Sequence, residues 1–378
     1  MKLAIVSSFP PFRGGISQET EILNNALIKE KNKVKVFSFK RQYPDIFFPG
    51  KNQYINNYND NKKHNVSYDL DTINPISWNK VSNEIIKDDF DVLLFRFWHP
   101  FFIPAYNYIN KKIKKKKSQI KIFCICDNVY PHERFLFDKS LLKIFFKRID
   151  GFFVMSYNIE AQVKEINPNA NIKKIFLPIK DNLGKAIPKK EALEKLNLDD
   201  NFIFLFFGLI REYKGLDILL ESLKYFILKN KKFKLLIVGE CYDKKSKYDR
   251  IISKYNLNNY VVWIDRFVDD KEIKLFFSAA DVLVLPYKNA SQSGVIPIAY
   301  NFRKIVLASD IEGLNDFILE NKTGYLFKSQ DSKDLANKLF DISKNHDFNK
   351  SIHSIEKYIK NFSSTNLVLE IKSFINEV

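Results

Sequence analysis

Two cations in the second half of the chain lie where a bound anion would explain them. Arg211 and Lys214 occur in "FFGLIREYKGLDILLESL", after a glycine that ends an apolar strand and before a helix that opens at Gly215. Cations at a helix N-terminus oppose the helix dipole, which favours negative charge there. Charge-assisted hydrogen bonds of about 1.5–3 kcal/mol each would hold a diphosphate between these side chains.

A small polar turn, "SQSG", follows the apolar strand "AADVLVLPY" and precedes a segment that favours a helix. Hydroxyls and backbone amides ahead of a helix are neutral donors suited to phosphate oxygens. If the strand before Pro286 and the strand before Gly208 share a sheet, both loops open at the same edge. The turn is therefore predicted to complete a phosphate cradle with four residues: Ser291, Gln292, Ser293 and Gly294.

The first half carries a glycine loop and several polar side chains just past strand ends. Gly14 and Gly15 follow the first strand, where they form either a tight turn or a close backbone approach to a ligand. His99 follows "DVLLFRF", and further polar residues follow "IKIFCIC". His132 is one of these. A hydrogen-bonded structural role is the alternative for both His99 and His132. The candidate catalytic residues are His99, Asp127, His132 and Glu133.

These residues must be positioned by the strand–helix alternation that runs along the chain. One series of strands extends from "KLAIVSS" to "GFFVMS", and a second from "FIFLFFG" to "KIVLAS". The pattern is typical of α/β proteins with doubly wound parallel sheets, whose ligands bind beyond the carboxyl ends of the strands. We predict two Rossmann-like domains facing across a cleft, residues 1–178 and 179–352, and a C-terminal helix over 353–378 with an apolar face.

Composition narrows the class of protein. The 378 residues are 46% hydrophobic, and no run of about 18 apolar residues predicts a transmembrane helix. The N-terminal apolar run is too short for a signal peptide. The three cysteines, Cys124, Cys126 and Cys241, form no metal-binding pattern and are interpreted as reduced residues of a cytoplasmic protein.

The formal net charge of +17 is concentrated in the first half. Residues 1–175 hold 29 Lys and Arg against 17 Asp and Glu. A solvated helix face and an anionic partner such as the inner membrane surface are the two readings of the densest segment. Nucleic acid is not predicted, because no nucleic-acid-binding motif occurs. The lysines of that segment are Lys111, Lys112, Lys114, Lys115, Lys116 and Lys117.

The ordered series of motifs resembles the retaining nucleotide-sugar glycosyltransferases of family four, which have the GT-B fold. The resemblance runs from "FRGG" through "FFGLIREYKGLDILLESL", "LLIVGE" and "AADVLVLPY" to "IVLASDIEGLNDFILENKTGYLF". It implies that the second domain binds the nucleotide sugar and the first the acceptor, and that the C-terminal helix over 353–378 packs back on the first domain. Arg211 and Lys214 match the basic pair of the family that holds the donor diphosphate, and Gly14 and Gly15 match its glycine loop.

The chain departs from this family at two places. Members typically carry two glutamates eight positions apart after the "LPY" strand, whereas no glutamate occurs here between Asp281 and Glu312. The arginine that usually follows the strand glycine is Leu209, with Arg211 two positions later. The contacts to the ribose and the sugar are therefore left open.

The resemblance implies transfer of a hexose from a UDP- or GDP-linked sugar to a glycan or lipid-linked acceptor, with retained configuration and no essential metal. His99 or His132 with Glu133 would lie near the reacting carbon, and Asp127 would alternatively position the acceptor hydroxyl. A nucleotide-sugar epimerase and a catalytically weak scaffold of the same fold are the alternatives. The predicted nucleoside-binding residues are Glu240, Arg266 and Phe267.

Overall fold

The computed structural model describes most of the chain as two compact units. Unit 1 comprises Met1–Pro178 together with Ser363–Val378, and unit 2 comprises Ile179–Phe362. The residues described are 1–44, 53–55, 64–130, 138–176, 178, 183–290 and 293–378.

Unit 1 contains a seven-stranded sheet in which every neighbouring pair is parallel. The strand order is β3-β2-β1-β4-β5-β6-β7, so the order reverses between β1 and β4. Buried apolar residues dominate β1, β4, β5 and β6, as expected for strands covered on both faces. The strands are β1 (Lys2–Val6), β2 (Lys33–Arg41), β3 (Val66–Asp71), β4 (Val92–Phe97), β5 (Lys121–Cys126), β6 (Gly151–Val154) and β7 (Ile172–Lys174).

Helices cover both faces of this sheet. The helices are α1 (Gly15–Lys29), α2 (Pro75–Asp88), α3 (Ile103–Lys116), α4 (Asp138–Phe146), α5 (Tyr157–Ile166) and α13 (Ser364–Glu377). Helices α2 to α5 share one hydrophobic core, and α1 with α13 share the other. Gly151 leaves room for the last helix, since a Cβ there would lie 2.9 Å from the Phe374 ring.

Unit 2 repeats the same winding with six parallel strands in the order β10-β9-β8-β11-β12-β13. The order reverses between β8 and β11, which lie in one sheet, as the sequence predicted, and pair directly with each other. The strands are β8 (Phe202–Phe207), β9 (Phe233–Val238), β10 (Val261–Ile264), β11 (Val282–Leu285), β12 (Ile305–Ser309) and β13 (Gly324–Phe327). The helices are α6 (Lys189–Lys195), α7 (Leu216–Phe226), α8 (Lys245–Lys254), α9 (Asp270–Ala279), α10 (Val295–Asn301), α11 (Ser332–Asn345) and α12 (Phe348–Tyr358).

The C-terminal segment differs from the single helix predicted over 353–378. It is divided into α12, a short 3-10 helix at Ile359–Phe362, and α13. The Ser363 hydroxyl accepts a hydrogen bond from the Asn366 amide at 3.1 Å, and this cap starts a new helix. Only α13 belongs to unit 1; residues 353–362 belong to unit 2.

Candidate functional site

Glycines bring three strand-end loops of unit 2 into backbone contact. A Cβ on Gly239, after β9, would lie 2.1 Å from the Gly208 carbonyl oxygen after β8. A Cβ on Gly215 would lie 1.9 Å from the carbonyl oxygen of Pro286 after β11. All three glycines have positive φ values, which L-residues with a side chain rarely adopt. The loops therefore meet where the strand order reverses, the usual ligand position in open α/β sheets.

Lys214 is buried in this crevice, and none of the described residues supplies a counter-charge. Its residue is 8% exposed, and a Cβ on Gly208 would lie 3.0 Å from its Nζ. The Nζ lies over the Tyr287 ring, 5.5 Å from the centroid, and makes no hydrogen bond or ion pair with the rest of the described chain. Burial, with a smaller contribution from the charge of Arg211, lowers the pKa of the Lys214 ammonium from its ordinary value.

Arg211 lies at the outer side of the same loop. It precedes the 3-10 helix Glu212–Lys214, and its guanidinium lies 5.2 Å from the centroid of the Tyr242 ring. The side chain is exposed and has no carboxylate partner within the described residues. Gly215 then takes a left-handed conformation and starts α7. Two cations thus precede this helix, as the sequence predicted.

The loop after β11 contributes a buried hydroxyl. Ser293 Oγ is buried beside Tyr287 and makes no hydrogen bond of normal geometry in the described part of the chain. Burial raises the pKa of the Tyr287 phenol to about 12. Gly294 is exposed and precedes α10. Ser291 and Gln292 lie outside the described residues, so their role in the cradle stays a prediction.

The arrangement in unit 2 has the chemistry of an anion site. A buried ammonium without a counter-charge carries a desolvation penalty that a bound anion would offset. The orphaned Ser293 hydroxyl supplies a donor from the other side of the strand reversal, and Arg211 supplies a second cation nearer the solvent. A phosphate group can accept from all three.

The three predicted nucleoside-binding residues differ in exposure and in the contacts that their side chains already make. The backbone carbonyl of Glu240 accepts from the Ile210 amide at 2.9 Å, and its side chain is half-buried. The Arg266 guanidinium is bound bidentately by Glu272 at 2.6 and 2.9 Å, so it is less suited to contact a ligand. Phe267 is 54% exposed and presents a ring surface.

In unit 1 the predicted glycine loop is open. Gly14 has φ 117° and caps α1, but a Cβ there would meet no atom within 4 Å. A Cβ on Gly15 would lie 3.7 Å from Glu19 Oε1, which is an ordinary contact. The positive φ explains a glycine at position 14, whereas nothing in unit 1 itself requires one at position 15.

Asp127 is part of a buried ion-pair network that the sequence did not predict. Arg96, on β4, donates from Nε and Nη2 to both Asp127 carboxylate oxygens at 2.8 and 2.7 Å. The same guanidinium pairs with Glu19 on α1. Asp127 is 4% exposed, and both of its oxygens are occupied. This geometry favours a structural role over the predicted contact with an acceptor hydroxyl.

Of the two candidate histidines, only His99 lies within the described residues. His99 caps a 3-10 helix at Pro100–Phe102, where its Nδ1 accepts from the Phe101 amide at 3.1 Å, and its ring lines an apolar pocket. His132 and Glu133 lie outside the described residues, so their predicted catalytic roles are not tested. The hydrogen bond of His99 fits the structural alternative, while the pocket leaves a ligand-binding role open.

The lysine-rich segment forms the last turns of α3, and half of its charges are engaged. Lys114 pairs with Asp150 at 2.7 Å, Lys117 pairs with Asp89, and Lys112 donates to the Asn83 side chain at 2.5 Å. The remaining three have no ion pair within the described residues: Lys111, Lys115 and Lys116. Among all the described residues, no helix is long and apolar enough to cross a membrane.

Residues 188–362, within unit 2, match the family described as glycosyl transferases group 1. A capsular polysaccharide biosynthesis glycosyltransferase, CapM of Staphylococcus aureus, is 26% identical over 189 residues, 50% of this chain and 49% of the relative. The uncharacterized glycosyltransferase MJ1178 of Methanocaldococcus jannaschii is 24% identical over 230 residues, 61% of this chain and 60% of the relative. The chain thus matches between about half and three fifths of the length of these relatives.

Solved structures with the same fold match along nearly their whole length. Anabaena Alr3699/HepE in complex with UDP has a TM-score of 0.77 at 16% identity and covers 100% of both chains. The lipopolysaccharide outer core galactosyltransferase WaaB has a TM-score of 0.75 at 16% identity, covering 100% of this chain and 99% of its own. The predicted GT-B fold and the resemblance to glycosyltransferases are confirmed.

Proposed function

From the premise that residues 188–362 form a glycosyl transferases group 1 region, we propose that this protein is a glycosyltransferase whose unit 2 binds a nucleoside-diphosphate sugar. The observation that carries the proposal is Lys214, an ammonium buried in the crevice between the loops after β8 and β11, for which the described residues supply no counter-charge. A donor diphosphate would supply that charge. The UDP complex of a protein with the same fold makes UDP the first donor nucleotide to test, with GDP as the alternative.

The proposed chemistry uses these cations to stabilise the leaving group. As the bond between the sugar and the diphosphate breaks, negative charge grows on the leaving phosphate oxygen. Lys214 and Arg211 would offset this charge, which is the general way in which fixed cations lower a barrier. The leaving oxygen would accept the proton of the acceptor hydroxyl on the same face of the sugar, so transfer with retention requires no enzymic base. The two cations would stabilise the diphosphate, as a metal ion does in metal-dependent enzymes.

The proposal specifies the acceptor only by its chemical class. The resemblance assigns the acceptor to unit 1, and the relative from Staphylococcus aureus is named for capsular polysaccharide biosynthesis. We propose a glycan or lipid-linked acceptor in cell-surface polysaccharide synthesis. Unpaired Lys214 argues against the scaffold alternative, because a buried charge without a ligand is costly to keep.

Calorimetric titration with UDP and GDP, without added metal, tests the donor site. Lys214→Ala should weaken binding of the preferred nucleotide by about 10- to 100-fold, since each charge-assisted contact is worth about 1.5–3 kcal/mol. Lys322→Ala, at an exposed lysine of the same unit, is the matched control and should bind normally. Normal binding by the Lys214 variant, or no binding of either nucleotide to the wild type, would refute the proposed site.

A further inference from the structure

Unit 1 contains an apolar pocket that the assignment of donor residues does not use. Its volume is about 350 Å³, within the range of small-molecule sites. It lies where β3 and β4 end, at the carboxyl edge of the sheet, and its rim is open at Ile73 and Leu141, which are 49% and 37% exposed. The lining includes Thr72, Ile73, Trp78, His99, Phe101 and Leu141.

Three polar groups of this lining already make hydrogen bonds within the protein. The Thr72 hydroxyl donates to the Gln42 carbonyl at 2.8 Å, and Trp78 Nε1 donates to the Asp71 carbonyl at 2.7 Å. His99 Nδ1 accepts from a backbone amide. A sugar ring would lose hydrogen bonds to water on entering and recover few of them, which costs about 1–3 kcal/mol for each unpaired group. The pocket therefore suits a hydrocarbon group.

The surface next to the pocket adds more apolar area and then positive charge. Ile76, in the first turn of α2, is 78% exposed, and the Tyr108 ring packs against Trp78 at 5.9 Å. Pro104, Tyr108, Lys111 and Lys115 share one exposed face of α3 by helical spacing. Lys111 lies about 10 Å along the helix from Pro104, at the rise of 1.5 Å per residue. An anionic group attached to a hydrocarbon chain would find complementary charge there.

We propose that this pocket binds the hydrocarbon chain of an amphiphilic acceptor and that Lys111 and Lys115 attract the phosphate of that acceptor. The proposal rests on the proposed function, because it identifies the acceptor as lipid-linked. Two features favour this occupant over a free glycan: the committed polar groups of the pocket and the unpaired lysines on the adjoining helix face.

A chain-length series of n-alkyl β-D-glucosides, titrated calorimetrically into the full chain below their micellar concentrations, tests the pocket. Each added methylene should tighten binding by about threefold to fourfold until the pocket is filled, because the hydrocarbon leaves water. Methyl glucoside should bind weakly or not at all. Binding that does not depend on chain length would overturn the proposal.

Leu141→Asp places a charge at the rim of the pocket, where partial exposure lets the variant fold. It should weaken n-octyl glucoside by at least about tenfold. Leu369→Asp, at a 58% exposed leucine of α13 in the same unit, is the matched control and should bind normally. Equal binding by the Leu141 variant would overturn the proposal. Titration of both variants with UDP or GDP keeps the two proposals separable, since failure of the donor site leaves the alkyl series unaffected.

A second comparison tests whether Lys111 and Lys115 attract a phosphate group. n-Octyl phosphate should bind more tightly than n-octyl glucoside to the wild type, and Lys111→Gln with Lys115→Gln should remove that advantage alone. Equal affinities in the wild type would overturn the role of the lysines. Binding to phosphatidylglycerol vesicles without binding of monomeric alkyl ligands would overturn the pocket assignment and identify the surface as one that docks on a bilayer.

Discussion

Arg96 in unit 1 and Lys214 in unit 2 are both buried near the carboxyl ends of parallel strands, but they have different surroundings. Arg96 is held between Asp127 and Glu19, and its guanidinium donates to both. Lys214 has an aromatic ring, a glycine and a second cation around it, with no carboxylate of the described residues in contact. One cation is neutralised by its own unit, whereas the other has no opposite charge among the described residues.

The pKa directions follow the same division. Burial alone lowers the pKa of the Arg96 guanidinium, but the charges of Asp127 and Glu19 outweigh burial and raise it. At Lys214 burial dominates, and the pKa falls. A paired buried charge is typical of a structural network, while an unpaired one in a crevice is typical of a binding site. Burial of a cation therefore identifies a site only together with the absence of its partner.

Replacing each cation by methionine should give the largest difference. Arg96→Met should lower the free energy of unfolding by about 3–5 kcal/mol, because the buried Asp127 and the partly buried Glu19 would lose their cation. Lys214→Met should leave that free energy unchanged or raise it, because an uncompensated charge is removed. Urea unfolding of the two variants measures both effects. A loss of stability in the Lys214 variant as large as that of Arg96→Met would contradict the comparison.

The glycine loops should show a smaller contrast. Gly208→Ala should cost about 1–3 kcal/mol of stability, because φ is 104° and the new Cβ would lie 3.0 Å from Lys214 Nζ. Gly15→Ala should change stability by less than about 0.5 kcal/mol, because its nearest contact is an ordinary one. Thermal unfolding and nucleotide titration of both variants check this. Reduced turnover of a stable Gly15→Ala protein would instead support the predicted donor contact.

The smallest expected effect is a pH dependence at Lys214. Because burial lowers its folded-state pKa below 10.5, the unfolded chain binds the proton more tightly as pH rises from the folded-state value toward 10.5. Stability of the wild type should therefore rise with pH relative to Lys214→Met, by at most about 1.4 kcal/mol per pH unit. Urea unfolding at several pH values from 7.5 to 10.5 measures it, and a saturating nucleoside diphosphate should reduce the gain. If the free energy of unfolding changed equally with pH in the wild type and in Lys214→Met, this prediction would be wrong.

Local sequence patterns predicted the winding of both sheets and the loops that meet at the crevice of unit 2. The alternation of apolar strands and helices is set by nearby residues, and β8 and β11 lie in one sheet as that alternation implied. The network of Arg96 could not be predicted this way, since it joins side chains from α1, β4 and the end of β5. An arginine inside the apolar strand "DVLLFRF" was its one sequence signal. The helix break at Ser363 was missed because the apolar spacing continues across it.

The return of α13 to unit 1 has a consequence for how the protein folds on the ribosome. One hydrophobic core of unit 1 is built from α1 and α13, which lie on either side of unit 2 in the chain. Unit 2 can fold as soon as it emerges, whereas the face of β5 and β6 that α13 covers stays exposed until residues 364–377 have been synthesised. At about 5–20 residues per second, the intervening unit delays closure by roughly 10–40 s. The nascent chain would present this apolar face to chaperones throughout that interval.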